Sequence, residues 1–311
     1  MKIYNSIQEF NAPKKTIVTL GTFDGVHKGH KSILDKLINN SKSSGSESVV
    51  LTFFPHPRMV LQQDADIKLL NTIDEKALLL KEYGIDNLIV HPFDQTFSRL
   101  TAEEFVRDIL VDKLNISKII IGHDHRFGRN RTATIDDLIR FGREYGFEVE
   151  QLSPLEVNAV SVSSTKIRIA LEAGDITTAN KFLGYNYFIT GTVITGKKLG
   201  RTINFPTANL EIKESYKLIP TNGVYVVSSV IDGETVYGMM NIGTNPTVNG
   251  TGRNIEVNYF DFDKDIYGRE LSVSIHARLR DEVKFDSVDL LKQQLHNDRD
   301  ASIDFFKNNA S

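Results

Sequence analysis

The 311-residue chain contains no cysteine, which excludes disulfides, thiolate metal sites and cysteine nucleophiles. That suits a reducing compartment, and a cytoplasmic protein is expected. Long apolar runs are also missing. No window approaches the roughly 18 apolar residues of a membrane span, and residues 1–10 have no apolar core flanked by basic side chains, so no signal peptide is expected. Charge of one sign is scarce as well. Lys and Arg total 37 against 40 Asp and Glu, a formal charge of −3, with a pI near 6.3. Such a balance argues against a general binder of nucleic acid or of membrane surfaces. No internal repeat or low-complexity tract occurs, and residues 41–48 read as a polar loop. What remains is 40% apolar and 25% charged, an ordinary globular composition, at a length that favours two domains.

The first half alternates short β-branched runs with amphipathic ones. Strands are expected at residues 16–20, 49–54, 88–90, 118–122 and 147–152, and helices at 32–38, 74–83, 101–114 and 134–145. Thr101 and Glu104 have the spacing of a capping box. This alternation predicts a parallel sheet covered on both faces, a Rossmann-like α/β domain, with ligands beyond the carboxyl ends of its strands. The loops after Leu20, Phe54, Val90 and Ile121 therefore matter most.

Near Asn186 the period changes from helical spacing to two. Residues 271–279 alternate apolar and polar, and Asp232-Gly233 between residues 224–231 and 236–242 is a hairpin signal. With a further strand at 255–262, the pattern predicts a small antiparallel barrel or sandwich. Residues 287–306 return to helical spacing, so one or two helices are expected to pack on it. The boundary is placed between Gly184 and Tyr187, giving domains of residues 1–185 and 186–311.

The organising motif is Gly21-Thr22-Phe23-Asp24-Gly25-Val26-His27-Lys28-Gly29-His30. It follows a strand and opens a helix, so backbone N–H groups and a helix N-terminus converge where an anion can sit. His27 and His30, three apart, share one helix face. They can clamp a phosphate, pair on a metal, or merely cap the helix; no zincin-type third ligand lies nearby. Gly25 and Gly29 permit close backbone approach. Phe54-Pro55-His56-Pro57 is a proline-stiffened extended turn, with His56 either functional or incidental. Gly122-His123-Asp124-His125-Arg126-Phe127-Gly128-Arg129-Asn130-Arg131 reads as anion recognition or as a solvated basic loop. Ser161-Val162-Ser163-Ser164-Thr165-Lys166-Ile167-Arg168 opens a helix that Ser163 or Ser164 can cap. Together the four loops describe a phosphate-binding rim.

These motifs, in this order and spacing, resemble the adenylyltransferase module of bacterial bifunctional riboflavin kinase/FAD synthetases. In that family the phosphate of FMN attacks the α-phosphate of ATP, giving FAD and pyrophosphate. The resemblance implies that His27 and His30 stabilise the reacting phosphates. It also implies that Gly21, Phe23, Asp24, Gly25, Gly29, Asp124, Arg126, Ser163, Ser164, Thr165 and Arg168 hold ATP, and that Phe54, Pro55, His56 and Pro57 contact flavin. His125 stands where the family usually has Phe, and Ala133 where a glycine is common.

The second half opens with a basic, glycine-bearing loop, Gly191-Thr192-Val193-Ile194-Thr195-Gly196-Lys197-Lys198-Leu199-Gly200-Arg201, followed by Phe205-Pro206-Thr207-Ala208-Asn209-Leu210. Alternation puts Thr207 and Asn209 on one face, two neutral oxygens suited to Mg²⁺ and phosphate, or simply part of an edge strand begun by a proline. Glu256 lies on the face opposite Ile255 and Val257, either a working carboxylate or a solvated one. Residues 241–247 and 267–269 read as polar, turn-rich rims.

This order resembles the riboflavin kinase module of the same family, so the resemblance spans residues 14–305. It implies that Thr207 and Asn209 hold MgATP and that Glu256 is the general base toward the ribityl 5′-hydroxyl. Gly191, Gly196, Gly200 and Arg201 would wrap ATP, and Arg299 would close on the flavin. Asn204 stands where glycine usually precedes Phe-Pro, and tolerates positive φ; Asn258 stands where histidine is frequent. The expected protein is an enzyme with ATP, riboflavin, FMN and FAD as small-molecule partners, Mg²⁺ accompanying ATP, and a monomeric or weakly homo-oligomeric state. Rival readings are one live module beside a degenerate one, a flavin- or nucleotide-binding regulator, and an RNA-binding module.

Overall fold

A computed structural model describes residues 1–61, 66–122, 126–129, 132–153, 162–196, 203–247 and 250–309. The chain divides into two compact units, Met1–Ser163 and Ser164–Ser311.

In the first unit, six strands form one sheet: β1 (Lys2–Tyr4), β2 (Thr16–Leu20), β3 (Glu47–Phe54), β4 (Asn87–Pro92), β5 (Ile116–Ile121) and β6 (Glu148–Gln151). Every pairing is parallel, in the order β1-β4-β3-β2-β5-β6. All five residues of β2 are buried, which is why it reads as a continuous β-branched run rather than an alternating one. The chain leaves β2 toward β3 on one side and reaches β5 on the other. The crevice at the carboxyl ends of β2 and β5 is therefore the topological switch point.

The helices of this unit are α1 (Lys28–Ser44), α2 (Pro57–Leu61), α3 (Ile73–Glu82), α4 (Gln95–Ser98), α5 (Ala102–Glu104) and α6 (Ile135–Tyr145). Both arms of the Thr101–Glu104 capping box form. Beyond it the expected α-helix gives way to a π-helical stretch, Phe105–Val111. The wider winding gathers Phe105, Val106, Ile109 and Leu110 toward the core in a tighter arc than 3.6-residue spacing would. The polar loop expected at residues 41–48 is mostly helix and strand. Ser41 and Ser44 hydroxyls bond back to the carbonyls of Ile38 and Asn40, and Gly45 caps α1 in the left-handed region at φ 67°. Pro57 likewise begins helix α2 instead of extending the turn, where its missing N–H costs nothing, and the His56 Nδ1 accepts the Arg58 N–H.

The second unit begins with α7 (Ser164–Ala173) and α8 (Ile176–Leu183) and continues as β7 (Phe188–Ile194), β8 (Ala208–Glu211), β9 (Gly223–Ile231), β10 (Glu234–Thr247), β11 (Gly250–Tyr259) and β12 (Glu270–Arg280). The strands close antiparallel as β10-β11-β8-β7-β12-β9, which removes every sheet edge. Asp232 and Gly233 make the β9–β10 hairpin with φ of 54° and 84°. Residues 241–247, read as a turn-rich rim, belong to the unbroken strand β10, where Asn and Gly face the partner β11. A single helix, α9 (Val288–Asn309), closes the chain. Phe306 of α9 packs on Tyr237 and His276 with ring centroids 4.1 and 5.1 Å apart.

The unit boundary thus falls about twenty residues before the change of period at Gly184–Tyr187. The reason is packing that periodicity does not register. Asn180 of α8 donates to the Ile275 carbonyl at 2.9 Å and accepts the Tyr187 N–H at 2.7 Å, and the Tyr187 hydroxyl reaches the Leu218 carbonyl at 2.6 Å. Asn180→Ala removes these two hydrogen bonds and a third, to Asn186 Oδ1 at 3.1 Å, and is expected to lower the stability of the second unit by about 2–4 kcal/mol, read as a shift of its denaturant midpoint with the slope unchanged.

Candidate functional site

Two sites emerge, one in each unit. The first is the turn between β2 and α1. It must reverse direction in a few residues, and it does so through positive φ at Phe23 (44°), Gly25 (85°) and Val26 (36°). For a β-branched residue such as Val26 this is an outlier, and each such residue costs about 1–3 kcal/mol. Phe23 and Val26 are buried, at 2% and 0% exposure, and burying such side chains contributes about 1.5–3 kcal/mol each, enough to offset the strain. A Cβ at Gly21 would press on the Phe23 ring at 3.3 Å.

The turn delivers His27 to the N-cap of α1, where its Nδ1 accepts the Gly29 N–H at 3.1 Å. That bond fixes the tautomer: the proton of the neutral ring sits on Nε2, the nitrogen free to donate. His30 stacks on His27 with centroids 3.8 Å apart and planes 14° from parallel, and Phe23 packs on the other ring at 4.9 Å. The Nδ1 of His30 is enclosed and finds no hydrogen-bond partner among the described residues. Burial pushes the pKa of His27 down to about 4. His30 is held well below its ordinary value by burial, by His27 and by the ammonium of Lys76. Both shifts favour the neutral rings over imidazolium cations.

Sequence reasoning missed Lys76. It lies on α3, 3% exposed, and its Nζ donates to the Thr22 carbonyl at 2.7 Å. Burial lowers its pKa to about 8 against the favourable charge of Asp24. Nothing in its sequence context distinguishes it from the solvated lysines of an amphipathic helix. Asp24, read as a phosphate contact, is 2% exposed and accepts the Leu70 N–H at 2.9 Å through Oδ1. Its charge also favours the ammonium of Lys76.

The remaining first-half candidates are placed as follows. Gly29 is buried inside the first turn of α1. Phe54 and Pro55 end β3 through a cis peptide bond. Arg126 is exposed beside Phe127, whose backbone pairs with Ala133. Ser163 ends the first unit, and Ser164, Thr165 and Arg168 lie in the opening turns of α7 in the second. Asp124 lies outside the described residues, as do Gly200 and Arg201. Among the described residues no group of three or more His, Asp or Glu side chains is arranged to hold a metal ion.

The second site is a cavity of about 380 Å³ on the barrel. Alternate residues of three strands line it: Asn209 from β8, Asn241 and Gly243 from β10, and Asn254, Glu256 and Asn258 from β11. Thr207, just before β8, joins them, so Thr207 and Asn209 do share one face. Asn209 is the cross-strand partner of Glu256. The Thr207 hydroxyl lies 3.5 Å from Glu256 Oε2, and Asn254 donates to Oε1. The Asn258 amide holds the Pro206 carbonyl at 2.7 Å, keeping the Phe-Pro segment against the cavity. Asn204 has φ 62°, a left-handed conformation that Asn tolerates better than most residues. A Cβ at Gly196 would displace the Asn209 amide, and at Gly191 it would meet the Glu211 carbonyl at 2.7 Å.

Residues 9–166 match the family described as FAD synthetase, and residues 183–306 the family described as riboflavin kinase. The bifunctional riboflavin kinase/FMN adenylyltransferase of Escherichia coli K12 is 36% identical over 309 residues, covering 98% of each chain. The chain belongs to this bifunctional family. Relatives of the same description from Pseudomonas fluorescens and Bacillus subtilis are 38% and 35% identical, over 91% and 94% of this chain and 90% and 93% of theirs. A solved chain described as a macrolide-efflux protein from Streptococcus pneumoniae matches with a TM-score of 0.87 at 33% identity, over 97% of this chain and 98% of that one. Among the described residues here no helix is long and apolar enough to cross a membrane.

Membership of the family directs attention to the α9 side of the barrel cavity. Leu291, Leu295 and Asp298 line it, and Arg280 grips Asp298 through Nε and Nη2 at 2.9 and 2.7 Å. Arg299, the residue expected to close on flavin, is not among the lining residues. Its guanidinium pairs with Asp261 at 3.1 Å, because one step along a helix turns the side chain about 100° away from its neighbour.

The buried imidazoles carry a pH signature. The unfolded chain protonates His27 near pH 6.5, whereas the folded chain resists until about pH 4. Between those values the unfolded state binds more protons, so the first unit loses stability as pH falls through that window. From His27 alone the loss between pH 7 and pH 5 is about 2 kcal/mol. Urea unfolding of the first unit is expected to show it, and His27→Gln to remove that share of the pH dependence.

Proposed function

We infer that this chain carries out both reactions of its family: ATP phosphorylates riboflavin to FMN on the barrel, and a second ATP adenylylates FMN to FAD in the α/β unit. The observation that carries the reading is the pairing of two unlike sites in one polypeptide. One presents a carboxylate among neutral oxygens, the other a stack of neutral imidazoles at a helix N-terminus. The working division is residues 1–185 for adenylyl transfer and 186–311 for the kinase.

In the kinase step Glu256 takes the proton of the ribityl 5′-hydroxyl as that oxygen attacks the γ-phosphorus and ADP leaves. Thr207 and Asn209 supply oxygen donors, which with Glu256 suit a hard cation such as Mg²⁺. The cation would be held there with ATP and would neutralise phosphate charge. The apolar side of the cavity, Leu291 and Leu295, suits the flavin ring.

In the adenylyl step a phosphate oxygen of FMN attacks the α-phosphorus of ATP, the α–β P–O bond breaks, and pyrophosphate leaves. His27 donates through Nε2 to the reacting phosphate, and His30 beside it completes the donor set at the switch-point crevice. The family resemblance also assigns Ser163, Ser164, Thr165 and Arg168 to the nucleotide's phosphates and residues 54–57 to the flavin. The cysteine-free, mildly acidic composition supports a cytoplasmic enzyme, monomeric or weakly self-associating, without nucleic-acid or membrane partners.

Incubation with riboflavin and MgATP, with products separated by chromatography, is expected to give FMN and then FAD. His30→Ala should stop the sequence at FMN, slowing FAD formation by about 100-fold or more. Glu256→Ala should slow FMN formation by about 100- to 10,000-fold yet leave conversion of supplied FMN to FAD. Equal loss of both activities in either variant would contradict separate sites.

A further inference from the structure

The least expected group in the first unit is a lysine with almost no access to water. Lys76 stands 3% exposed on α3, a helix whose other neighbouring charge, Glu75, is committed to the Thr72 cap. A buried ammonium without a task is costly, and the usual outcomes are loss of its proton or a specific set of partners. Here the partners are specific. Nζ donates to the Thr22 carbonyl at 2.7 Å, and the same carbonyl accepts the Thr52 hydroxyl at 3.2 Å. Thr22 is the residue before Phe23, where the backbone enters the left-handed region. Asp24, two residues on, supplies the counter-charge and is itself tied to Leu70. The ammonium therefore grips the turn at the point where its direction is decided.

We propose that Lys76 is a positioning residue for adenylyl transfer: by fastening the Thr22 carbonyl against α3 it sets where the His27–His30 stack meets the phosphates. The proposal rests on the assignment of that stack to the adenylyl step. Lys76 itself is enclosed and touches no substrate; it acts through the turn and through its field. The charged and titratable groups that act on His30 are His27 on its own helix and Lys76 from α3, and Asp24 from the turn acts in turn on Lys76. Of these, His27 and Lys76 both disfavour a second positive charge on the ring. Removing Lys76 should therefore loosen the turn and let His30 take up a proton at higher pH, turning a neutral ring into a cation.

The test is Lys76→Met in the full chain, followed by both reactions and their pH profiles. FAD formation from FMN is expected to fall at least 30-fold, mainly in kcat, and its acid limb to move to higher pH. Riboflavin phosphorylation on the other unit should stay within twofold, and a cooperative urea transition of the first unit reports that this unit is still folded. Because the chain has no cysteine, Lys76→Cys can be aminoethylated at that position alone, in denaturant before refolding beside an identically treated parent. That restores an ammonium and should recover most of the lost rate, which repair of bulk packing would not do.

A variant within threefold of the parent, or one slowed without any shift of the acid limb, overturns the proposal. So does failure of the ammonium to rescue while the parent refolds to full activity. If instead His30→Ala leaves FAD formation intact, the assignment of the stack is what fails, whatever Lys76 does.

Discussion

Everything at the first site depends on a backbone that cannot relax. Between Leu20 and His27 the chain must leave the middle of a parallel sheet and start a helix, and Phe23, Gly25 and Val26 accept left-handed conformations to do so. The hydrogen-bonded carbonyl of Thr22, the Asp24–Leu70 bond and the buried Phe23 and Val26 side chains surround that strain on every side. Strain of this kind persists only when its surroundings over-determine it. The return is placement: α1 begins at the crevice with two rings already stacked. The imidazoles need not be ordered when a nucleotide arrives, so its binding energy is not spent on them.

Much of this was legible in the sequence because it rests on local chemistry. Continuous β-branched runs announced strands buried on both faces, Asp232-Gly233 announced a hairpin, and the spacing of Thr101 and Glu104 announced a cap; each feature formed. Thr207 and Asn209 were placed on one face by the pleat alone. Residues 41–48 went wrong for an equally local reason. A serine-rich stretch looks like a loop until its hydroxyls are seen bonding back into their own helix. Phe105, Val106, Ile109 and Leu110 also fit the apolar stripe of an ordinary α-helix, so the spacing alone did not reveal the π-helical winding from Phe105.

What the sequence did not disclose depends on which distant surfaces meet. Lys76 looks like any lysine on a helix until the fold buries it under Thr22, 54 positions earlier. Helices α7 and α8 share the helical spacing of the first half, yet Asn180 commits α8 to the barrel through bonds to Ile275 and Tyr187. The grip of Arg280 on Asp298, and the pairing of Arg299 with Asp261, could be separated only by knowing which side of α9 faces the cavity. In each case the deciding partner lies far away in the sequence.

The two sites also differ in how they treat charge, and the difference follows from the bonds each must make. Phosphorylation of a hydroxyl requires a proton to leave, and the proposed base for it, Glu256, has neutral hydroxyl and amide neighbours in the barrel cavity and is partly open to water. The nucleophile of the second reaction is already a phosphate anion and has no such proton to lose. A strong base would bring only repulsion, and the single nearby carboxylate in the turn, Asp24, is buried and tied to Leu70. What that reaction lacks is a set of donors for crowded phosphate oxygens, and neutral imidazoles supply donors without the desolvation cost of two stacked cations. Burial around His27 and His30 favours the neutral rings, the forms that stacking at 3.8 Å tolerates, and on the proposed assignment these are the forms that would donate to phosphate.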